Sequence, residues 1–255
     1  MKSPTTRFSD RAADYQRFRP GYPDELFDAL GRLLPPLLAR DAADIGSGTG
    51  IFTEGLLRRG WRVAAVEPNA AMRAVAEQRL GAEPQFRSVA RTAEDTGLDD
   101  ASVSLVTAAQ AFHWFDADAC ATEWRRLLRP GGLAALTWNE RDIAASAFMA
   151  GYEALLREHG DDYDAIAHRR WDTGVFAGLF GETGYDACTF ATRQHFDLAG
   201  LHGRSLSASY CPAHGEPGHQ PFLDDLGRLF ERHQNSGVVT FVYATRLFTG
   251  SLDRA

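Results

Sequence analysis

The sequence predicts an α/β domain, with a mostly parallel sheet covered by helices on both faces. Two observations carry that prediction. The first is the run Asp44, Ile45, Gly46, Ser47, Gly48, Thr49, Gly50, in which three glycines at alternate positions follow a strand-like segment and precede a helix-like one. Glycine reaches backbone angles closed to other residues and lets a ligand approach the main chain, and strand, glycine turn, helix is the opening of a nucleotide-binding α/β unit. The second is a regular alternation of strand-like and helix-like segments from there to residue 138, the pattern that gives parallel sheets covered on both faces.

Taken in order, the chain begins with a mixture of aromatics and arginines: Phe8, Tyr15, Arg17, Phe18, Arg19 and Tyr22, interrupted by Pro20 and Pro23. It reads either as a helix packed on the domain with solvated arginines or as a lid over a ligand. A helix from Asp24 through Leu30, Leu33 and Leu34 stops before Pro35 and Pro36. Ala42 to Ile45 is the first strand, and Ile51 to Arg59 has helical spacing of Ile51, Phe52, Leu56 and Leu57. Trp61 to Val66 is the second strand. Asn69 caps a helix over Ala70 to Leu80 that Gly81 stops. Phe86 to Val89 and Val103 to Ala109 are the third and fourth strands, Asp118 to Leu128 a helix ended by Pro130, Gly131 and Gly132, and Leu133 to Trp138 the fifth strand.

Beyond Asn139 the alternation breaks. Ile143 to Glu158 and Asp162 to Arg170 read as helices of a cap, Ala187 to Phe196 and Val238 to Phe248 as strands, and Leu198 to Tyr210 as a polar stretch of small residues. The expected organisation is one domain over 1–255: a cover (1–35), a ligand-binding core (36–138), a helical cap (139–186) and a substrate-side segment (187–255).

Composition narrows the function. The chain has 255 residues, of which 44% are hydrophobic and 11% aromatic, enough for a sizeable core. A net charge of -7 argues against nucleic acid or an anionic membrane as the main partner. Three scattered cysteines, Cys120, Cys188 and Cys211, indicate neither a disulfide framework nor a cysteine-based zinc site. Cys211, His214, Glu216 and His219 match no common metal spacing, so no metal is expected. With no apolar leader at Met1 to Asp10 and no run of 18 apolar residues, the expectation is a soluble, cytoplasmic protein without a membrane partner.

Glu67 ends the second strand, 21 residues beyond Gly46. Nucleotide folds place a carboxylate there because its two oxygens can receive both hydroxyls of a ribose. Ile51 stands where a dinucleotide site wants a small residue, so the spacing favours a nucleoside ligand without a pyrophosphate.

These residues resemble a known family. Tyr15 to Pro23 (YQRFRPGYP), Asp44 to Gly50 (DIGSGTG), Glu67 to Met72 (EPNAAM), Thr92 to Glu94 (TAE), Thr107 to Asp116 (TAAQAFHWFD) and Leu128 to Gly132 (LRPGG) look like the class I S-adenosylmethionine-dependent methyltransferases of the type 11 family, in its order. The resemblance is to the subgroup that includes trans-aconitate methyltransferases, and it continues more sparsely through Ser207 to Pro212 and Val238 to Phe248. It implies a Rossmann-like, seven-stranded sheet with an antiparallel last strand. It also implies the cofactor S-adenosyl-L-methionine, with S-adenosyl-L-homocysteine as product.

Residue by residue, the resemblance puts the methionine part of the cofactor on the backbone around Gly46, Ser47 and Gly48, with Asp44 and Thr49 also cofactor-binding, its ribose on Glu67, and its adenine with one side on Pro68 and Met72 and its ring against the Ala93 amide. Thr92 and Glu94 compete for the adenine amino group. Gln110 would stand near the sulfonium, and Tyr15 and Arg19 near the cofactor's carboxylate, which suits an arginine fork. The implied reaction is in-line transfer of a methyl group to a small organic molecule whose acceptor atom, whether carboxylate, hydroxyl, amine or carbon, stays open.

His113 is the candidate base, needed only if the acceptor carries a proton, and its other reading is packing within the aromatics around it. Trp114, Arg141 and Tyr210 are substrate-side candidates, and Arg169 and Arg170 could orient a carboxylate. A cofactor-dependent rearrangement or cyclisation, and a methyltransferase acting on a macromolecule, are the alternatives. The oligomeric state is open.

Overall fold

The computed structural model describes residues 17–160, 163, 173–181, 184–208 and 210–252. Seven strands form one sheet: β1 (Asp41–Ile45), β2 (Arg62–Val66), β3 (Phe86–Val89), β4 (Val103–Ala109), β5 (Leu128–Arg141), β6 (Asp186–Phe196) and β7 (Val239–Gly250). Their order is β3-β2-β1-β4-β5-β7-β6. The pairs β1/β2, β2/β3, β1/β4 and β4/β5 are parallel, whereas β7 runs antiparallel to both β5 and β6. The expected α/β class and the antiparallel last strand are both present.

The strand order reverses between β1 and β4. In open α/β sheets ligands bind outside the carboxyl ends of the strands at that switch point. Here those ends deliver the glycine turn after Ile45 and Gln110 after Ala109, so the topology brings together two sequence segments more than sixty residues apart.

Helices α1 (Asp24–Leu33) and α2 (Ile51–Leu57) cover one face of the sheet. Their residues Leu26, Phe27, Leu30, Phe52 and Leu56 share a core with Trp61, Val63 and Leu105. On the other face, α4 (Ala117–Leu127) and α6 (Thr173–Phe180) bury Trp124, Phe176 and Phe180 with Val66, Val106, Leu136 and Trp138. Helix α3 (Ala70–Leu80) begins where the sequence places it, with the Asn69 side chain accepting the amides of Ala71 and Met72. Asp116 does the same for α4, accepting Asp118 and Ala119, and so starts that helix one residue earlier than expected.

Other boundaries also differ from expectation. Leu128 already pairs with Val103, and Leu105 pairs with Leu133, so Pro130, Gly131 and Gly132 form an irregularity within β5 rather than a separate loop. The polar stretch after Leu198 is a helix, α7 (Leu198–Leu206), whose first turn is closed by the Asp197 carboxylate accepting the Gly200 amide at 2.7 Å. An unpredicted helix, α8 (His219–His233), buries Phe222, Leu226, Leu229 and Phe230. With α5 (Ala147–His159) and β7 it builds a third core around Phe148, Tyr152, Leu156 and Phe241, beside the carboxyl end of β5. The helix expected over Asp162 to Arg170 lies outside the described residues, apart from Tyr163. No helix among the described residues is long and apolar enough to cross a membrane.

Candidate functional site

The glycine turn is pinned to β2: the Gly46 and Ser47 amides both donate to the Val66 carbonyl, at 2.8 and 3.1 Å. Gly46 and Gly48 sit in the left-handed region, with φ of 66° and 58°. Their missing side chains differ in what they would meet. A Cβ on Gly46 would lie 2.7 Å from the Ala111 Cβ and 2.9 Å from the Phe115 ring, so Gly46 serves packing. A Cβ on Gly48 would meet only the Met72 methyl, at 3.6 Å, and Gly48 lines the cleft.

Glu67 closes the turn from the side. Its Oε2 accepts the Gly48 amide at 3.0 Å and its Oε1 the Asn69 amide at 2.8 Å. Burial pushes the carboxyl above its usual range, and the two backbone bonds pull the other way. Pro68, Met72, Thr92, Ala93, Glu94 and Trp114 join Glu67 around a cleft of about 280 Å³. Glu94 also accepts the Asp116 amide, at 3.2 Å, which ties the wall of the cleft to the cap of α4.

A second lobe opens on the other side of the turn. Gly46, Gly48, Ala109 and Gln110 line both lobes and form the junction between them. Gln110 is a non-glycine residue at φ 59°, a conformation that side chains disfavour and that functional sites retain. It is held by its amide donating to the Thr137 carbonyl at 2.8 Å and its side chain donating to the Asn139 carbonyl at 3.1 Å.

Asp44 lies on this second lobe, fully buried, with Oδ2 accepting the Thr53 hydroxyl at 2.6 Å and Oδ1 the Thr107 hydroxyl at 2.9 Å. Its desolvation outweighs those bonds and pushes its pKa up to about 6.

The far wall of the second lobe is cationic. Arg141, at the end of β5, donates to Glu153 at 3.0 Å, to Tyr210 at 3.3 Å and to the Tyr163 hydroxyl, and its guanidinium faces the Tyr152 ring. Arg204, from α7, donates to the Tyr243 hydroxyl at 3.2 Å. The segment before α1 closes over the lobe. Phe18 packs on Gly203, Arg19 donates to the Ser207 carbonyl at 3.3 Å, and the Gly21 carbonyl accepts from Asn139 at 3.1 Å.

Most of the sequence-nominated residues meet here: Glu67, Pro68, Met72, Thr92, Ala93 and Glu94 in the first lobe, Arg19, Asp44, Ser47, Thr49 and Arg141 in the second, and Gly46, Gly48 and Gln110 at the junction. Trp114 also lines the Glu67 lobe, and two nominations lie off both lobes. His113 lines neither and packs against Trp114 with the rings tilted, their centroids 4.7 Å apart. Tyr210 is buried behind the wall, where its hydroxyl accepts from Arg141. Tyr15, Arg169 and Arg170 lie outside the described residues.

Sequence reading missed Asn139, Arg204 and Tyr243. Arg204 sits in a helix that was read as a polar stretch, and its position on the site follows from α7 docking beside β7. Among the described residues, no group of three His, Cys, Asp or Glu side chains is arranged to hold a metal.

Comparison with known proteins adds to this geometry. Residues 43–136 match the family model of a methyltransferase domain. An uncharacterized methyltransferase of Mycobacterium tuberculosis is 43% identical over 135 residues, 53% of each chain, so the chain matches about half the length of that relative. An uncharacterized methyltransferase-like protein of Schizosaccharomyces pombe is 27% identical over 97% of this chain and 96% of its own. A solved structure from Anaeromyxobacter dehalogenans, assigned as a type II methyltransferase, superposes with a TM-score of 0.71 at 26% identity, covering 93% of this chain and all of that one.

Proposed function

We propose that this chain, a member of the methyltransferase family through residues 43–136, transfers a methyl group from S-adenosylmethionine to a small organic acceptor held in the Arg141 lobe. The observation that carries the proposal is the pair of lobes meeting at Gly46, Gly48, Ala109 and Gln110: the Glu67 lobe would take the nucleoside of the donor, and the second lobe its methionine end beside Arg19 and Thr49, with the acceptor toward Arg141.

The residues present fit the cofactor. The side-chain position of Gly48 is left open toward the cleft, and the buried Thr49 hydroxyl on the second lobe has no hydrogen-bond partner among the described residues. Glu67 would receive the ribose hydroxyls on the lone pairs that its two backbone bonds leave free. Pro68 and Met72 would flank the adenine, the Ala93 amide and either Thr92 or Glu94 would bond its edge, and Arg19, with Tyr15, would take the carboxylate. When bound, S-adenosylmethionine supplies an electrophilic methyl on a sulfonium, which an acceptor lone pair displaces in line to leave S-adenosylhomocysteine.

The protein's own contribution is positioning and exclusion of water. Holding two reactants in line is worth roughly 7–11 kcal/mol of barrier. The segment carrying Arg19 and Gly21, tied to Ser207 and Asn139, keeps solvent out of the lobe. Since His113 lines neither lobe, the proposal assigns it no proton transfer.

The covered, side-chain-sized second lobe and the acidic net charge favour a small molecule over a nucleic acid. We place the reaction in the cytoplasm, where the free Cys120, Cys188 and Cys211 would stay reduced. The test is to incubate the protein with methyl-labelled S-adenosylmethionine and a fractionated cell extract. Label appearing in the small-molecule fraction supports the proposal, and label confined to protein or RNA overturns the choice of acceptor.

A further inference from the structure

We infer that Asn139 is a positioning residue that latches the cover at Gly21 with its side chain and holds Gln110 with its main chain, so that closing the second lobe and setting Gln110 are one event. The inference rests on the methyltransferase reading above and adds how access to the site is controlled.

Asn139 is buried near the carboxyl end of β5 and pairs with Thr245 across the antiparallel contact with β7. The Thr245 hydroxyl donates to its Oδ1 at 2.5 Å, which turns the other end of the carboxamide, Nδ2, to the Gly21 carbonyl at 3.1 Å. Thr245 has given its one proton to Asn139, so in the 3.1 Å contact between the Thr192 and Thr245 hydroxyls the donor is Thr192. The chain of bonds has a single direction, from Thr192 on β6 through Thr245 on β7 and Asn139 on β5 to the cover. Three of its four members stand on one sheet, which gives the cover a rigid support.

A buried carboxamide needs hydrogen-bond partners. An asparagine serving the sheet alone would find them within the sheet, whereas the Nδ2 of Asn139 spends its bond on the cover. The Asn139 main-chain carbonyl also accepts the Gln110 side chain, at 3.1 Å. Gln110, at φ 59°, keeps a conformation that persists only where the surroundings hold it. One residue therefore ties down both the cover and Gln110.

The cover is a stiff strap. Pro20 and Pro23 bracket Gly21 and Tyr22, fixing two φ angles and favouring an extended Tyr22. At one end Tyr22 packs edge-on against Phe52, with ring centroids 4.9 Å apart. At the other, Phe18 sits on Gly203 and Arg19 donates to the Ser207 carbonyl. Arg19 and Tyr22 line the second lobe and also an outer groove of about 230 Å³ bordered by Phe27, Glu54 and Arg58. The strap is thus the partition between lobe and groove, and releasing Gly21 from Asn139 joins the two spaces.

The test is stopped-flow binding and release of S-adenosylhomocysteine by wild type, Asn139→Ala, Thr245→Val and Thr245→Ser. A latch that closes the lobe with or without ligand slows entry and exit alike. Asn139→Ala should therefore speed association and release by the same factor, about fivefold for one neutral hydrogen bond, with affinity kept within twofold. Thr245 lines neither lobe, and Thr245→Val, which deletes only the proton orienting Asn139, should shift both rates in the same sense by about twofold. Thr245→Ser, which keeps the hydroxyl, should match wild type. Hydrogen exchange at the Gln110 amide of ligand-free protein should quicken by the same factors in Asn139→Ala and Thr245→Val.

Faster release at unchanged association, with affinity lost in proportion, would make Asn139 a ligand contact and overturn the inference. So would unchanged rates, or faster rates with Gln110 exchange unaltered, because cover and Gln110 would then move separately. If Asn139→Ala does not fold, the contrast between Thr245→Val and Thr245→Ser decides. Failure of wild-type protein to bind S-adenosylhomocysteine would strike the underlying reading instead, and Gln110 exchange, measured without ligand, would still decide the role of Asn139.

Discussion

Glu67 reaches across from the end of β2 to accept the Gly48 amide at 3.0 Å, so the carboxylate proposed for the ribose also holds the glycine turn that borders it. The turn and the strand end act as one unit, and substitutions in either should be read at the level of ligand affinity as well as stability.

Gly46→Ala and Gly48→Ala separate packing from ligand approach. Both demand a left-handed alanine, costing roughly 1–2 kcal/mol, but only at Gly46 does the new methyl collide with Ala111 and Phe115. Urea unfolding should show Gly46→Ala clearly less stable than Gly48→Ala. S-adenosylhomocysteine binding should be lost in Gly48→Ala despite its milder instability.

Trp114 and His113 offer a test of placement. Because Trp114 lines the Glu67 lobe, Trp114→Ala should weaken S-adenosylhomocysteine by roughly fivefold, the scale of an aromatic contact of about 1 kcal/mol. His113→Ala should slow turnover by less than tenfold. A general base contributes typically 10² to 10⁴, so a hundredfold loss with cofactor affinity intact would reinstate His113 as a base.

Asp44 makes a signed pH prediction. Its native pKa is raised to about 6 from an unfolded value of 3.8, so its contribution is fully present below the unfolded pKa and is lost as pH rises through the native one. A shift of that size corresponds to about 3 kcal/mol. Compared with Asp44→Asn, the wild type should therefore lose up to about 3 kcal/mol of relative stability between about pH 4 and 7.5. A stability difference that does not change with pH would mean Asp44 stays ionised throughout.

Glu153 should behave in the opposite sense. The Arg141 cation and the Tyr163 hydroxyl hold its carboxyl below the usual range against the effect of burial, so its contribution is present above the unfolded pKa and lost as pH falls through the native one. Glu153→Gln strands a largely buried Arg141, and breaking such a pair costs about 3–5 kcal/mol. The deficit should be largest near neutral pH and shrink under acid, as followed by thermal melting.

The Glu67 lobe was legible in the sequence, and most of the Arg141 lobe was not. Asp44 to Gly50, Glu67 and Thr92 to Glu94 lie at or just after strand ends, where local patterns of glycine, cap and carboxylate report directly on structure. Their convergence with Gln110 follows once the strands are ordered.

The Arg141 wall is different, because Arg141, Arg204 and Tyr243 come from β5, α7 and β7 and meet only through tertiary packing. Helix α8 did leave a trace, since Phe222, Leu226, Leu229 and Phe230 have helical spacing, but neighbouring glycines and prolines obscured it. Within the three-residue helical turn Phe112 to Trp114, Phe112 enters the core and only Trp114 lines a lobe, a division that sequence spacing does not reveal.

The most direct measurement is calorimetric titration of S-adenosylhomocysteine into the wild type and Glu67→Ala, with urea unfolding of both as a control. Losing charge-assisted hydrogen bonds worth about 1.5–3 kcal/mol each should weaken binding by roughly a hundredfold, while the variant still unfolds cooperatively. Equal affinity of the two proteins, or no binding to the folded wild type, would contradict the assignment of this cleft to the methyl donor.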